Sequence, residues 1–484
     1  MTLKIILKKI RNFTKEHLVL MIIFLISTIF FLIQHYFYLG WDFSAYSLNA
    51  RYLFYGGNYY EVYRAPLISI LLGIFMIFGY KTAEYLYIIF VCILFFFSAK
   101  KLMNVLQEKY FKNKINKKTI EILFYLFLLN PFLLKFGLLE GTELLALSFF
   151  QLFLSYFLEG KISGYFLALA VLSRYNFFIF FIFFFFTKDY KKIIKDISLF
   201  FLVLSPWLLF NFFKWGHPLT SIIDSYYLNI FSRQDLKERF LLRNLLYPIN
   251  YLLPFFICGI FLFFYKKDWK KKVPLVFMIA FFLFLIDVYK TPFKIIRYMF
   301  NLSLPIAFFS LLGAEKTIKK FPKTKNFIFF IFFLLFLSSI LSLTRNFYLE
   351  KNSIYAEAGE KIKNLGLENC TILSNIWVPV SYYSENVVFL KDGINKSLEE
   401  NKIVLILKGY TTIDDMFKME EIKDYQSIYE NEKFVLLGKQ KLSKENCFKK
   451  QRHDIPLLLN PCSIIEKIKI GSLSKKICEI IRKN

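Results

Sequence analysis

The carboxylate of Asp42 stands in the stretch Tyr38-Leu39-Gly40-Trp41-Asp42-Phe43-Ser44-Ala45-Tyr46, just after the first long apolar run of the chain. A carboxylate at the rim of a bilayer is costly to desolvate, so it is kept where it has a partner or a task. Asp42, Tyr46, Asn49, Ala50 and Leu53 follow helical spacing, which points Asp42 and Tyr46 to one side of a short helix lying on the membrane surface. Two readings stay open: a working acid–base group, or a helix N-cap that satisfies free backbone N–H groups. Flanked by Trp41 and Phe43 rather than by a second acid, Asp42 is a poor start for a hard-cation site.

Other ionisable residues fall at the ends of apolar runs on the same side. Lys135, Arg174, Lys294 and Arg297 supply positive charge there, and each is equally readable as an anchor snorkelling to headgroups. Glu143 starts an apolar run and suits a helix N-terminus, Glu140 reads as solvated, and Asp287 reads as the partner of a lysine. The tyrosines around Asp42, including Tyr59, Tyr60 and Tyr63 beside Glu61, fit an interfacial aromatic belt or a stacking surface.

The elements that must position these residues are membrane helices. With 63 Phe among 484 residues and 56% hydrophobic composition, stretches such as Leu18 to Ile33 and Phe327 to Leu341 are apolar all round, which a soluble core does not require. The net charge of +27 is no sign of a nucleic-acid partner, because the lysines sit in short clusters between apolar runs. Lys4, Lys8, Lys9, Arg11 and Lys15 precede the first run, so the N-terminus is expected in the cytoplasm and Asp42 on the opposite side. Candidate spans fall near 18–37, 66–80, 84–99, 119–134, 142–158, 161–173, 175–187, 196–213, 251–265, 273–287, 298–313 and 326–344. If both 66–80 and 84–99 crossed, the lysine-rich loop after Lys100 would land on the wrong side. Pro66 to Gly79 is therefore read as a juxtamembrane or re-entrant segment.

After Thr344 the Phe runs stop. Short β-rich stretches appear at Thr371 to Ser374, Val387 to Leu390 and Ile403 to Leu407, and Ile354, Ala358, Ile362 and Leu365 share one helix face. This predicts a small α/β domain over 345–440, outside the cytoplasm, followed by a basic tail at 441–484. It has no Gly-rich phosphate loop and is read as a lid, an acceptor-recognition element or a passive cap. Cys447 and Cys462 are candidates for a disulfide in an oxidising compartment, and the His and Cys residues show no zinc spacing.

The order of motifs resembles the polyprenyl-phosphate-sugar-dependent glycosyltransferases of the GT-C superfamily, which includes protein O-mannosyltransferases and lipid A aminoarabinose transferases. The residues that carry the likeness are Asp42, Tyr46, Ala50, Gly56-Gly57 and Pro66-Leu67, then Asn130-Pro131, Gly141-Thr142-Glu143 and Leu172-Ser173-Arg174-Tyr175. Ser205-Pro206-Trp207, Trp215-Gly216-His217-Pro218-Leu219 and Arg297-Tyr298 to Leu304-Pro305 continue it, so that it covers most of residues 1–344. Many members carry two neighbouring acids where this chain has Asp42 alone.

The resemblance implies a polytopic α-helical membrane protein, GT-C-like, with about 11–13 spans and a C-terminal extracytoplasmic α/β domain. Residues 1–344 would form the catalytic membrane domain, with 34–65 as its first outward loop. It implies sugar transfer from a polyprenyl phosphate to a protein, lipid or glycan hydroxyl, with inversion, at the outer face of the cell membrane. Asp42 would be the base; Arg297, Arg174 and Lys294 would hold the donor phosphate; Glu143, Tyr46 and Glu61 would support the acceptor. No ligand set for a divalent cation is legible, so the cofactor is left open. The rival classes are a lipid-linked-oligosaccharide flippase or other transporter, and a non-catalytic scaffold of the same fold.

Overall fold

In the computed structural model the described residues are 17–111, 116–187, 189–231, 242–291, 296–349, 353–374, 376–389, 403–407 and 426–438. The predicted tail 441–484, Lys294 and the Cys447/Cys462 pair lie outside them.

Seven helical segments among the described residues are long and apolar enough to cross a membrane: Leu18–Phe37, Tyr80–Lys109, Tyr190–Trp215, Leu246–Tyr265, Lys272–Lys290, Ile296–Lys320 and Thr324–Phe347. The other expected spans are shorter pieces. The first helix, α1 (Leu18–Phe37), is followed by α2 (Trp41–Tyr55), so most of the segment expected as a loop at 34–65 is helical. Next comes α3 (Leu67–Phe75), extended by a 3-10 turn at Met76–Phe78. Twelve helical residues rise about 18 Å, short of the ~30 Å hydrocarbon core. Only the following α4 (Tyr80–Lys109) is long enough to cross, which removes the conflict with the lysine-rich loop.

The run expected at 119–134 divides into α5 (Lys117–Leu128) and α6 (Pro131–Phe136). Asn130 makes the break: its Oδ1 accepts from the Leu133 N–H at 3.0 Å, and Pro131 occupies the first turn, where its missing N–H costs nothing. Then follow α7 (Glu143–Glu159) and α8 (Gly164–Ser173). Tyr175–Phe186 is a 3-10 helix rather than an α-helix. Its sequence suits three residues per turn: Phe177, Phe180 and Phe183 recur every third position and are all buried. Phe180 meets Phe150 of α7 at 4.3 Å between ring centroids and Phe284 at 4.5 Å.

Burial separates the later helices. The span Ile296–Lys320, a 3-10 turn followed by a long α-helix, is 83% buried over its most apolar window, whereas Thr324–Phe347 is 17% buried. The first is a central helix and the second a lipid-facing one, so the charged head of Ile296–Lys320 is shielded by protein. The last membrane helix continues to Leu349, so the boundary expected at 344/345 falls inside a helix.

Beyond it, a helix at Ser353–Asn364 packs Ala358 and Ile362 into a separate small core, with Ile354 and Leu365 at its edge. Five strands form one sheet: β1 (Ile372–Ser374), β2 (Val387–Phe389), β3 (Ile403–Leu407), β4 (Gln426–Glu430) and β5 (Phe434–Gly438), in the order β2-β1-β3-β5-β4. β1 pairs in parallel with β2 and β3, while β5 runs antiparallel to β3 and β4. Between β1 and β2 the helix Trp377–Ser384 seats this C-terminal unit on α2. Its Val378 packs with Ala45, Leu48 and Tyr59.

Candidate active site

Four turns and helix ends converge on Asp42. Helix α2 begins after Gly40, and that glycine is required by a close approach: a Cβ there would lie 2.0 Å from the Leu139 carbonyl oxygen. The contact lets the Asp42 backbone N–H donate to Glu140 Oε2 at 2.6 Å. Across the same turn Gly141 has φ +85°, and its carbonyl accepts from Tyr87 Oη at 2.5 Å. The Glu140–Glu143 segment is thus pinned against the start of α2.

Asp42 is not the N-cap. Gly40 holds that position, and the Asp42 side chain turns away from the helix to two arginines. Arg64 Nη1 donates to Oδ1 at 2.5 Å and Arg297 Nη2 donates to Oδ2 at 2.6 Å. Arg297 spreads over three acids, adding Glu140 Oε1 at 3.1 Å and Glu143 Oε1 at 3.4 Å. Arg174, at the C-cap of α8, also pairs with Glu143, whose second oxygen accepts from Thr142 Oγ1 at 2.7 Å. Arg64 Nε donates to Glu61 Oε2 at 2.6 Å, and its guanidinium lies 5.5 Å from the Tyr46 ring and 5.0 Å from the Tyr63 ring. A brace of Tyr175, Ser221 and Trp207 stands behind it, with Tyr175 Oη donating to the Arg64 carbonyl at 3.3 Å.

The structure therefore brings together Asp42, Tyr46, Glu61, Glu143, Arg174 and Arg297. Lys135 rests over the Phe136 ring at 5.4 Å. Asp287 accepts from Asn176 Nδ2 at 2.9 Å, an amide where a lysine was expected. Two members of the cluster were missed. Glu140, expected in solvent, is 8% exposed because the tight turn folds it beneath Arg297. Arg64 joins Asp42 to Glu61; its signal was the charge placed directly before Ala65-Pro66 in an otherwise aromatic segment.

Burial and charge set the protonation states. Burial pushes the Asp42 carboxyl up, but the Arg64 and Arg297 guanidinium groups more than offset this and hold it well below the usual carboxylate range. Glu140 goes the other way: burial raises it to about 7, the Asp42 charge adds to the rise, and Arg297 opposes it only in part. Asp42 is thus ionised and Glu140 is the group that titrates near neutrality. Among the described residues no three His, Cys, Asp or Glu side chains gather as a metal-ligand set. The carboxylates of Asp42, Glu140 and Glu143 are already engaged by arginines.

No protein-family profile matches this chain, and no curated protein matches it in sequence. Among solved structures it is similar to ArnT from Cupriavidus metallidurans, both bound to undecaprenyl phosphate and in the apo state. Each comparison gives a TM-score of 0.56 at 10% sequence identity, over 88% of this chain and 98% of that one. Likeness over that length shows that this chain shares the fold of that structure, and its seven helices able to cross a bilayer make it a polytopic membrane protein.

Proposed function

We propose that the protein transfers a sugar from a polyprenyl phosphate to an acceptor hydroxyl at the outer face of the membrane, with Asp42 as general base. The observation that carries this reading is an ionised carboxylate bridged by two arginines, in a fold shared with a protein that binds undecaprenyl phosphate.

A carboxylate clamped between guanidinium groups is a weak base, and arginine also grips phosphate through paired N–H groups. An arriving lipid phosphate competes with Asp42 for Arg64 and Arg297. As their N–H groups turn to the phosphate, Asp42 regains basicity when the donor is in place. Its Oδ then takes the acceptor hydroxyl proton as the acceptor oxygen bonds to the anomeric carbon from the face opposite the phosphate. The bond from that carbon to the phosphate oxygen breaks, its electron pair leaves with the phosphate, and configuration inverts. Arg64 and Arg297, with Arg174 behind them, neutralise the charge that develops on the departing group. Tyr46, Glu61 and Glu143 hold these arginines and the approach of the acceptor.

The charged cluster sits at turns and helix ends rather than along a span, which favours a surface reaction over passage through the bundle. The placement outside the cytoplasm rests on the basic segment before the first helix. The acceptor is a protein, a lipid or a glycan. The test is transfer of radiolabelled sugar from polyprenyl phosphate by purified protein, comparing wild type with Asp42→Asn. Loss of transfer at unchanged folding and expression supports the reading; transfer that survives the substitution sinks it.

A further inference from the structure

The C-terminal unit touches the cluster through a connected set of side-chain hydrogen bonds that meet on the Glu61 carboxylate. Trp377 opens the helix Trp377–Ser384, and its Nε1–H donates to Tyr59 Oη at 2.7 Å. The Tyr59 hydroxyl donates in turn to Glu61 Oε1 at 2.5 Å. Glu61 receives Arg64 on its other oxygen at 2.6 Å, and Arg64 reaches Asp42. Tyr59 and Glu61 are 1% and 6% exposed, so water does not compete for these bonds. The Glu61 backbone is itself tied to α2, with its N–H donating to Asn49 Oδ1 at 2.8 Å and its carbonyl accepting from Asn49 Nδ2 at 3.0 Å. Trp377 also meets the ring of Trp41, the neighbour of Asp42, edge-on at 4.9 Å.

We propose that the C-terminal unit is a positioning element for the reacting carboxylate, acting through an unbroken file of side chains that runs Trp377, Tyr59, Glu61, Arg64, Asp42. The proposal rests on Asp42 being the working group. Trp377 donates to Tyr59, Tyr59 donates to Glu61, and Arg64 divides its donors between Glu61 and Asp42, so the angle at which Arg64 meets Asp42 depends on how Glu61 is held, and that depends on Tyr59 and Trp377. A second fastening of the same helix lies apart from the file. Tyr382 Oη donates to the buried carboxylate of Glu84, which also receives His35 at 3.0 Å, and Arg51 Nη1 donates to the Tyr382 carbonyl at 2.9 Å. The two fastenings allow a coupling through the file to be told from simple loosening of the unit.

The experiment uses full-length protein in lipid nanodiscs with undecaprenyl phosphate as the probe, comparing wild type, Trp377→Phe, Arg64→Lys and the double variant. Binding is expected to weaken several-fold on Trp377→Phe in the wild-type background and to show no further loss in the Arg64→Lys background, where the file is already cut. Equal losses in both backgrounds overturn the proposal. Tyr382→Phe unfastens the other end of the contact and is expected to leave affinity within about twofold; a loss equal to that of Trp377→Phe also overturns it. Wild-type protein that fails to bind the probe counts against the lipid-phosphate reading instead. The file is then read without ligand, from amide hydrogen exchange over Trp377–Ser384: Arg64→Lys speeds exchange there if the file transmits, and unchanged exchange refutes it.

Discussion

Asp42 and Asp196 are both shielded carboxylates in salt bridges, yet they are held in opposite ways. Asp196 is fully buried, and its Oδ1 accepts from the backbone N–H groups of Ser163 at 2.6 Å and Gly164 at 2.8 Å, while Lys192 reaches the other oxygen at 2.9 Å. It closes the N-terminus of α8 from another helix and has no spare capacity. Asp42 keeps 18% of its side chain exposed, and its carboxylate is held by two arginine side chains. Backbone donors cannot leave without unfolding the turn, whereas guanidinium groups can swivel to another anion. The difference separates a carboxylate spent on structure from one that a ligand can release.

Exchanging the charge at each site is the sharpest way to break that contrast. Asp42→Asn is expected to lower transfer by about 10²–10⁴-fold while leaving the thermal midpoint in detergent close to wild type. Asp196→Asn should do the reverse, lowering stability by roughly 1–3 kcal/mol with transfer per folded molecule retained. Similar effects of the two on transfer would erase the distinction.

Arg297 tests how far the flexible clamp is also structural. Arg297→Ala leaves Asp42, Glu140 and Glu143 crowded without their shared cation, and a destabilisation of about 3–5 kcal/mol should accompany loss of transfer. Arg297→Lys restores the charge but not the three-way fork, so it should recover stability more than activity. Denaturation midpoints and transfer rates on the same preparations separate the two.

The smallest effect concerns Glu140. Its carboxyl in the folded protein lies above the ordinary value near 4.5, at about 7. The unfolded chain therefore gives up this proton first as pH rises. The stability that Glu140 contributes is full below about pH 4.5 and is lost as pH climbs through 7. Glu140→Gln removes that loss, so its thermal midpoint relative to wild type should rise between pH 4.5 and 7 and then level off. A difference that is flat with pH contradicts the assignment of Glu140 as the titrating partner of Asp42.

How much of this was legible in the chain differs by element. The apolar runs announced the membrane helices, and the three β-rich stretches became strands β1 to β3, because hydrophobic period is a local property. The two later strands escaped notice; Gln426–Glu430 carries no apolar alternation strong enough to mark it. The Phe-rich run at Tyr175–Phe186 looked like an α-helix because both helix types accept an all-apolar stretch, and only packing of every third ring chose the tighter one. Asp42 stood out by its rim position. Glu140 did not, since an acid in a turn is ordinarily solvated, and nothing local says that a distant arginine will cover it.

The sequence by itself determined that this chain lives in a membrane, roughly where its apolar runs lie, and that an isolated acid follows the first of them. Those are consequences of composition and spacing within a few turns. Tertiary structure alone decided what the acid does with its charge, because its partners lie 22, 98 and 255 residues away and the Trp377 to Tyr59 bond spans 318. Ion pairs need atoms within a few ångströms, and only the packing of the helices brings such separated residues to that distance.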